Sequence, residues 1–283
     1  MLNGCAYILT VDVGNTFIRF GLFAEDSAAA QECPLATCEI TTPSSITADE
    51  ARMRLAQVMG ALAADAGMPG ALVPAAAVLS CVVPALERPW KVALSRTCTG
   101  RVLTVGPGLK TGMPVHYDDP AEIGPDRIAD AVAARAVYGS PCIVIDLGTT
   151  TNIEVIDTHG TFVGGVIAPG LALGARSLSA AAARLPQVEP SAPARVIGRN
   201  TREAMRSGVV LGEVARIDGM LDMVLAEMRA TKAAGEGDVP IVITGDDAEA
   251  LAALVGHSLT VDDALTLRGL AELYHINQKP RRA

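Results

Sequence analysis

The chain has 283 residues, half of them hydrophobic, enough to bury one large core or two ordinary ones, which excludes a disordered chain. Its 23 Lys and Arg stand against 31 Asp and Glu, and a formal charge of -8 with no concentrated basic patch argues against nucleic acid as a partner. No apolar run reaches the roughly 20 residues of a membrane span, no basic segment leads into an apolar stretch at the start, and the six cysteines contain no Cys-x-x-Cys pair; a cytoplasmic protein with no membrane association, zinc site or disulfide framework is expected.

In chain order, Tyr7-Ile-Leu-Thr-Val-Asp-Val-Gly-Asn-Thr16 is a β-branched strand ending in Asp-x-Gly-polar-Thr, and an apolar strand over 17–23 follows it. Together they predict a hairpin whose turn is built on glycine. A strand near 36–41, a helix over about 47–64, a strand near 76–80 and a helix across 86–96 continue the alternation of an α/β domain. The segment Tyr117-Asp-Asp-Pro-Ala-Glu-Ile-Gly-Pro-Asp-Arg127 then runs into an alanine-rich helix ending near Tyr138.

At Cys142-Ile-Val-Ile-Asp-Leu-Gly-Thr-Thr-Thr151 the opening pattern returns, again followed by an apolar strand, over 153–156. A strand at 162–167 and a helix over 171–185 come next. Asn200-Thr-Arg-Glu203 is a capping-box-like start for one long helix, with Met205, Val209, Ile217, Leu221, Val224, Leu225 and Met228 on its apolar face. A glycine-bearing loop over 231–239 leads to a buried-type strand at 240–244, and the last helix covers 263–275. The terminal Lys279-Pro-Arg-Arg282 cluster reads as a solvated tail.

The two Asp-x-Gly hairpins lie about half the chain apart with no substantial linker between them. We therefore expect one α/β fold present twice, with a first domain over 1–115, a second over 116–283, a cleft between the copies, and a last helix able to pack back on the first domain.

A carboxylate at a strand end beside a glycine turn can hold magnesium through water while backbone N–H groups approach a phosphate. A lone copy reads better as an ordinary hairpin turn; two copies matching in sequence and context favour a phosphate site. For Asp126 and Arg127 two readings stand. They are a helix cap and a solvated charge, or a general base and an anchor for anionic substrate or transferring phosphoryl. The glycines of Gly164-Gly165-Val-Ile-Ala-Pro-Gly170 permit close approach of a ligand or of another strand. Thr244-Gly245 could floor a nucleotide pocket, and the four histidines, His116, His159, His257 and His275, show no metal-ligand spacing.

Taken in order, Asp12-x-Gly-Asn-Thr16, Tyr117…Gly124-x-Asp126-Arg127, Asp146-x-Gly-Thr149, Gly164-Gly165-x-Ile-x-Pro-Gly170 and Gly198-x-Asn-Thr201-x-x-Ala-Met-x-Ser-Gly208 resemble type III pantothenate kinases over nearly the whole chain. The resemblance implies a duplicated ribonuclease-H-like fold of the actin-like ATPase superfamily. It implies ATP-dependent phosphorylation of pantothenate in the first step of coenzyme A synthesis, by a homodimer with pantothenate near the subunit interface. It also implies roles: ATP and magnesium at Asp12, Val13, Gly14, Asn15 and Thr16; a second phosphate loop at Asp146, Gly148, Thr149 and Thr150, with a metal role for Asp146; potassium or ammonium close to that loop; and a nucleotide-side contact at Gly245. Asp126 would be the catalytic base, with Tyr117, Gly124, Asp126 and Arg127 on pantothenate and Thr201 reaching it from the partner subunit.

Two places depart from the family pattern. Thr150 and Asn152 stand where Ala and Thr are common, and both replacements are small and polar. Asp246 stands where the family usually has the last glycine of Thr-Gly-Gly; it either crowds and repels the nucleotide or faces solvent and caps a helix over 248–254. The competing functional class is a non-catalytic, nucleotide-binding regulator of the Bvg accessory factor type; a sugar kinase or chaperone-type ATPase would rest on fold analogy alone.

Overall fold

The β-branched runs pair first with their nearest neighbours. In the computed structural model, which describes residues 6–26, 32–68 and 71–278, β1 (Tyr7–Val13) and β2 (Phe17–Ala24) form the antiparallel hairpin, with Asp12 opposite Arg19 and Val13 opposite Ile18. Cys5 and the Lys279-Pro-Arg-Arg282 cluster lie outside the described residues. β3 (Ala36–Thr41) adds an antiparallel strand to β2, while β4 (Ala76–Cys81) and β5 (Val102–Thr104) add parallel strands beside β1, giving the order β3-β2-β1-β4-β5.

The side-chain period of two divides this sheet between two layers. Leu9, Val11 and Val13 of β1 enter a core with Leu55 and Leu62 of α1 (Ala48–Asp65) and Trp90 of α2 (Pro84–Thr97). Ile8, Thr10 and Asp12 point to the opposite face. There a Cβ on Gly21 would crowd Thr10 Oγ1 and Leu267 of α8 (Leu265–Ile276). α8 in turn lies backbone to backbone with α3 (Pro125–Tyr138), since a Cβ on Gly269 would overlap the carbonyl oxygen of Ala129. The glycine of Leu265-x-Leu-x-Gly-Leu270 is therefore steric. Asp12 shares a sheet face with α3 and α8 and not with the α1–α2 core.

The second unit repeats this plan strand for strand. β6 (Cys142–Leu147) and β7 (Thr150–Ile156) are antiparallel, β8 (Phe162–Pro169) is antiparallel to β7, and β9 (Ile241–Gly245) and β10 (Thr260–Val261) are parallel additions, in the order β10-β9-β6-β7-β8. The duplication expected from the two hairpins, and the ribonuclease-H-like plan that the family resemblance implies, are borne out. Its core joins Ile143, Ile145 and Ile153 to Ile217, Leu221 and Met228.

Contacts divide the chain at Val137/Tyr138 and again at Asp263/Ala264. The boundary thus falls after α3 and not at 115/116. α3 groups with the first unit because its backbone packs on α8, which itself returns to β1 and β4. Two helices also differ from expectation. α4 (Leu171–Ala181) ends well before residue 185, ahead of Leu185-Pro186, where the pre-proline position disfavours the α region. The long helix from Asn200 comes in three pieces, α5 (Thr201–Arg206), a π-helical turn at Ser207–Leu211, and α6 (Gly212–Ala230). A short α7 (Ala248–Ala252) follows β9. Among the described residues no helix is long and apolar enough to cross a membrane.

Candidate active site

In the first unit the site is built around Asp12, the penultimate residue of β1. It is 8 % exposed, and its Oδ1 is shut off from solvent with no hydrogen-bond partner. Burial, and next the negative charge of Asp126, push its pKa from 3.8 up to about 6, against the opposing pull of the Ser80 hydroxyl and the Arg19 guanidinium. Both opposing groups follow from register: Ser80 is the parallel neighbour of Asp12, and Arg19 its antiparallel neighbour.

Asp126 stands in the first turn of α3. Its Oδ1 accepts the Arg127 backbone N–H at 2.8 Å, folding the carboxylate back over the helix start. A Cβ on Gly124 would collide with that oxygen, so a larger residue there would displace the carboxylate. Burial raises the Asp126 pKa above its usual value, and the backbone amides and the Arg127 guanidinium only partly offset it. The cap-like bond and the influence on Asp12 coexist, so the two sequence readings of Asp126 are not exclusive. For Arg127 the solvated-charge reading is overturned, because the residue is only 5 % exposed and buried cations need partners. Tyr117 is half-buried ahead of the 3-10 turn at Pro120–Glu122. Beside the start of α3 lies a mainly apolar cavity of about 570 Å³, lined by Val105, Pro107, Leu109, Ile123, Pro125 and Ile128 among others. Sequence reasoning missed this cavity; its only local signal is the Gly106-Pro-Gly108 loop.

The first turn is held from outside by a residue that carried no signal. Gly14 N–H bonds Phe17 O at 3.0 Å within the turn, and Thr42, just past β3, donates its hydroxyl to Gly14 O at 2.7 Å and its N–H to Thr16 O at 2.9 Å. Asn15 and Thr16 are exposed at the tip, whereas the Val13 side chain belongs to the core, leaving Val13 only its backbone for a ligand.

In the second unit Asp146 is again the penultimate residue of its strand, with Thr244 as parallel neighbour and Asn152 as antiparallel neighbour. Asn152 Nδ2 donates to Asp146 Oδ2 at 3.4 Å, and its Oδ1 accepts the Thr150 hydroxyl at 3.3 Å. Two of the three residues that depart from the family pattern, Thr150 and Asn152, therefore bond one another. This turn is one residue tighter than the first: Leu147 pairs with Thr151, whereas Val13 pairs with Ile18. Gly148 N–H bonds Thr150 O at 2.9 Å, and Gly170 N–H bonds Thr149 O at 3.1 Å.

A Cβ on Gly170 would overlap the Gly148 carbonyl oxygen, so this glycine serves the close approach of protein backbone. Gly164, at φ +126° beside the irregularity at Val155/Ile156, faces open space. Gly245, at φ +91°, packs against the Leu147 carbonyl, and the next N–H, of Asp246, bonds that same oxygen at 2.6 Å. The capping expectation for Asp246 is corrected. Asp247 occupies the cap position of α7, at φ 59°, and its side chain makes no capping bond. At α5 Asn200 Oδ1 does accept the Glu203 N–H at 2.9 Å, while Glu203 reaches back to the N–H of Arg199. Thr201 is exposed on the first turn, and Gly198 is required because a Cβ would overlap the Ala204 nitrogen.

Known proteins resemble this chain in sequence and in fold. The family model described as type III pantothenate kinase matches residues 8–223. Type III pantothenate kinase 2 of Symbiobacterium thermophilum is 39 % identical over 96 % of this chain and 97 % of its own length. The type III pantothenate kinase of Nocardia farcinica is 39 % identical over 97 % and 99 %, and that of Koribacter versatilis 36 % over 97 % of each. Among solved structures, a Baf family transcriptional activator from Campylobacter jejuni superposes with a TM-score of 0.57 at 18 % identity, covering 95 % of this chain and 98 % of its own. The ethanolamine utilization protein EutJ from Carboxydothermus hydrogenoformans gives 0.53 at 17 %, covering 94 % and 89 %. The structural likenesses speak to the fold alone. The match of the family model and the near-full-length relatives decide the rest: this chain belongs to the type III pantothenate kinase family.

Proposed function

We propose that the chain phosphorylates pantothenate to 4'-phosphopantothenate with ATP, the first step of coenzyme A synthesis, using Asp126 as general base. The observation that carries the assignment of the base is its neighbourhood: Asp126, at the start of α3, is close enough to Asp12 that its charge is the second cause of the raised Asp12 pKa. Asp126 takes the proton of the primary hydroxyl as that oxygen attacks the γ-phosphorus, and a base whose pKa is raised toward neutrality suits that transfer. Arg127 beside it favours the ionised form and, with Tyr117, anchors pantothenate; the backbone at Gly124 leaves room for the carboxylate. The cavity beside α3 is large enough for a small acceptor. ADP and 4'-phosphopantothenate leave.

For ATP, the first unit offers the exposed turn tip at Asn15 and Thr16 with the backbone of Val13 and Gly14, and the second offers the turn at Gly148, Thr149 and Thr150 with Gly245 at its flank. The buried, unpartnered Asp12 Oδ1 fits a hydrated magnesium ion. Among the described residues no group of three or more His, Cys, Asp and Glu is arranged to hold a metal, so magnesium would arrive mainly through the ATP phosphates, its usual mode. When bound, it neutralises charge on the transferring phosphoryl group. Asp146, oriented by Asn152, is the carboxylate we assign to the second loop's cation chemistry, including a monovalent ion, potassium or ammonium.

We further read the enzyme as a cytoplasmic homodimer in which Thr201 of each subunit serves the other's pantothenate. Support comes from Val196 and Ile197, just ahead of Asn200, which are 73 % and 82 % exposed, an apolar surface suited to a partner. The non-catalytic regulatory reading is not favoured, since Asp12, Asp126 and Arg127 stand together in the first unit. The test is ADP release coupled to a spectroscopic readout, with and without pantothenate. Turnover that depends on pantothenate is expected; turnover indifferent to it, or none, would refute the proposal.

A further inference from the structure

We propose that Glu213, braced by Arg216, is a positioning residue for the second phosphate turn and through it for ATP. The inference rests on the reading of residues 148–150 as a phosphate loop. Glu213 is 5 % exposed, and a buried carboxylate is costly unless its oxygens are used. Both are used. Oε1 accepts the Thr151 hydroxyl at 2.6 Å, and Oε2 pairs with the Arg216 guanidinium one helical turn on. The same Arg216 donates to the Pro169 carbonyl at 2.6 Å.

These two attachment points flank the turn. Thr151 is the residue that pairs with Leu147 as the hairpin closes, and Pro169 pairs with Thr150 from the next strand. Gly170, which follows Pro169, bonds Thr149 O and lies against Gly148. One carboxylate–guanidinium pair therefore ties down both the hairpin leg of the turn and the segment packed behind it. Glu213 alone would repel phosphate; paired with Arg216 it contributes little net charge, so its contribution is to geometry and not to phosphate attraction.

The helix is built to aim it. The π turn at Ser207–Leu211 adds a residue to the helical repeat, which rotates everything after it by about 100° relative to an uninterrupted helix. Glu213 is the second residue past that turn. A reading of the segment as one regular amphipathic helix cannot place it.

The experiment is calorimetric titration of magnesium and a non-hydrolysable ATP analogue into the full chain without pantothenate, followed by steady-state kinetics in both substrates. Thr151→Val removes the hydroxyl at constant shape, Thr151→Ser restores it, and Glu213→Gln removes the charge. Thr151→Val and Glu213→Gln should each weaken nucleotide binding about tenfold, as loss of an orienting outer-layer contact typically does. Thr151→Ser should rescue it, the KM for pantothenate should move by less than about twofold, and the double variant should bind little worse than the weaker single one. Native-like nucleotide affinity in Thr151→Val, additive losses in the double variant, or equal rises in both KM values would overturn the proposal. If Glu213→Gln does not fold, the Thr151→Val and Thr151→Ser pair decides alone. A native chain that binds no nucleotide would instead overturn the phosphate-loop reading underneath it.

Discussion

Replacing Asp12 with asparagine should stabilise the ligand-free first unit while removing activity. The Asp12 carboxyl titrates at about 6 in place of 3.8, first because burial penalises its charged form and then because Asp126 repels it. A native pKa above the unfolded value means that the folded state holds the proton more tightly between the two. Stability is therefore undiminished below about pH 4, falls as pH rises toward 6, and stays reduced above it. At about 1.4 kcal/mol per tenfold in proton affinity, the ionised carboxylate costs the native state on the order of 3 kcal/mol at neutral pH. Asparagine has the same shape and no charge to bury. Trp90 is the single tryptophan, fully buried in α2 and edge-on to Phe20 at 5.7 Å, so its fluorescence reports the first unit alone. Urea unfolding followed at Trp90 should show Asp12→Asn more stable than the native chain by about 2–3 kcal/mol at about pH 7.5, and indistinguishable from it near pH 4. Magnesium and ATP should stabilise the native chain more than the variant. A variant no more stable at the higher pH, or one equally stabilised at both, would show that the charge of Asp12 is not what strains the site.

Asp126→Asn should retain nucleotide binding and lose about 10²–10⁴ in kcat; near-normal kcat would remove Asp126 as base. Because the base must be ionised and burial raises its pKa, the acid limb of the native rate should lie above the usual aspartate value of 3.8, and an acid limb at or below it would contradict the assignment. Asp246→Gly should tighten ATP binding by about threefold, the effect of removing one negative charge beside a polyanion in a largely aqueous setting; its backbone N–H, which bonds Leu147 O, remains in the variant. An unchanged or weaker affinity, measured by titration, would show that the carboxylate does not face the nucleotide.

What was legible in the sequence was local. The period-two strands, the glycine turns and the Asn200 cap of α5, whose Oδ1 accepts the Glu203 N–H at 2.9 Å, each depend on residues within a few positions of one another. The duplication was legible because both copies carry the same short-range pattern. β5 and β10 were not, since the few residues at Val102–Thr104 and Thr260–Val261 fall below the length at which alternation can be recognised. Other features exist only in three dimensions. Thr42 gives no local hint that it will hold Gly14 and Thr16, nor Glu213 that it will reach Thr151. The placement of α3 with the first unit depends on a backbone contact between Ala129 and Gly269, which lie at opposite ends of the segment that forms the second unit. Asp126 was undecidable for a different reason: capping and catalysis ask for the same residue type at the same position, and the folded chain gives Asp126 both a bond at the helix start and a place near a second carboxylate.

The two copies show what duplication preserves and what it releases. In each sheet the carboxylate is the penultimate residue of the first strand, and in each a hydroxyl stands on its parallel side, Ser80 for Asp12 and Thr244 for Asp146. The antiparallel neighbours differ. Arg19 faces Asp12, and its charge offsets part of the cost of a buried carboxylate whose Oδ1 has no partner. Asn152 faces Asp146, supplying a neutral donor that orients the carboxylate and adds no charge. A buried, strained carboxylate gains most from a cation brought in with the substrate, because binding relieves the same desolvation that burial imposes. A half-buried, amide-held carboxylate has less strain to relieve and is better suited to shaping a turn or sharing a weakly held ion. The backbone register dictates where each carboxylate stands and which residue faces it across the hairpin, a cation for the buried Asp12 and an amide for the half-buried Asp146.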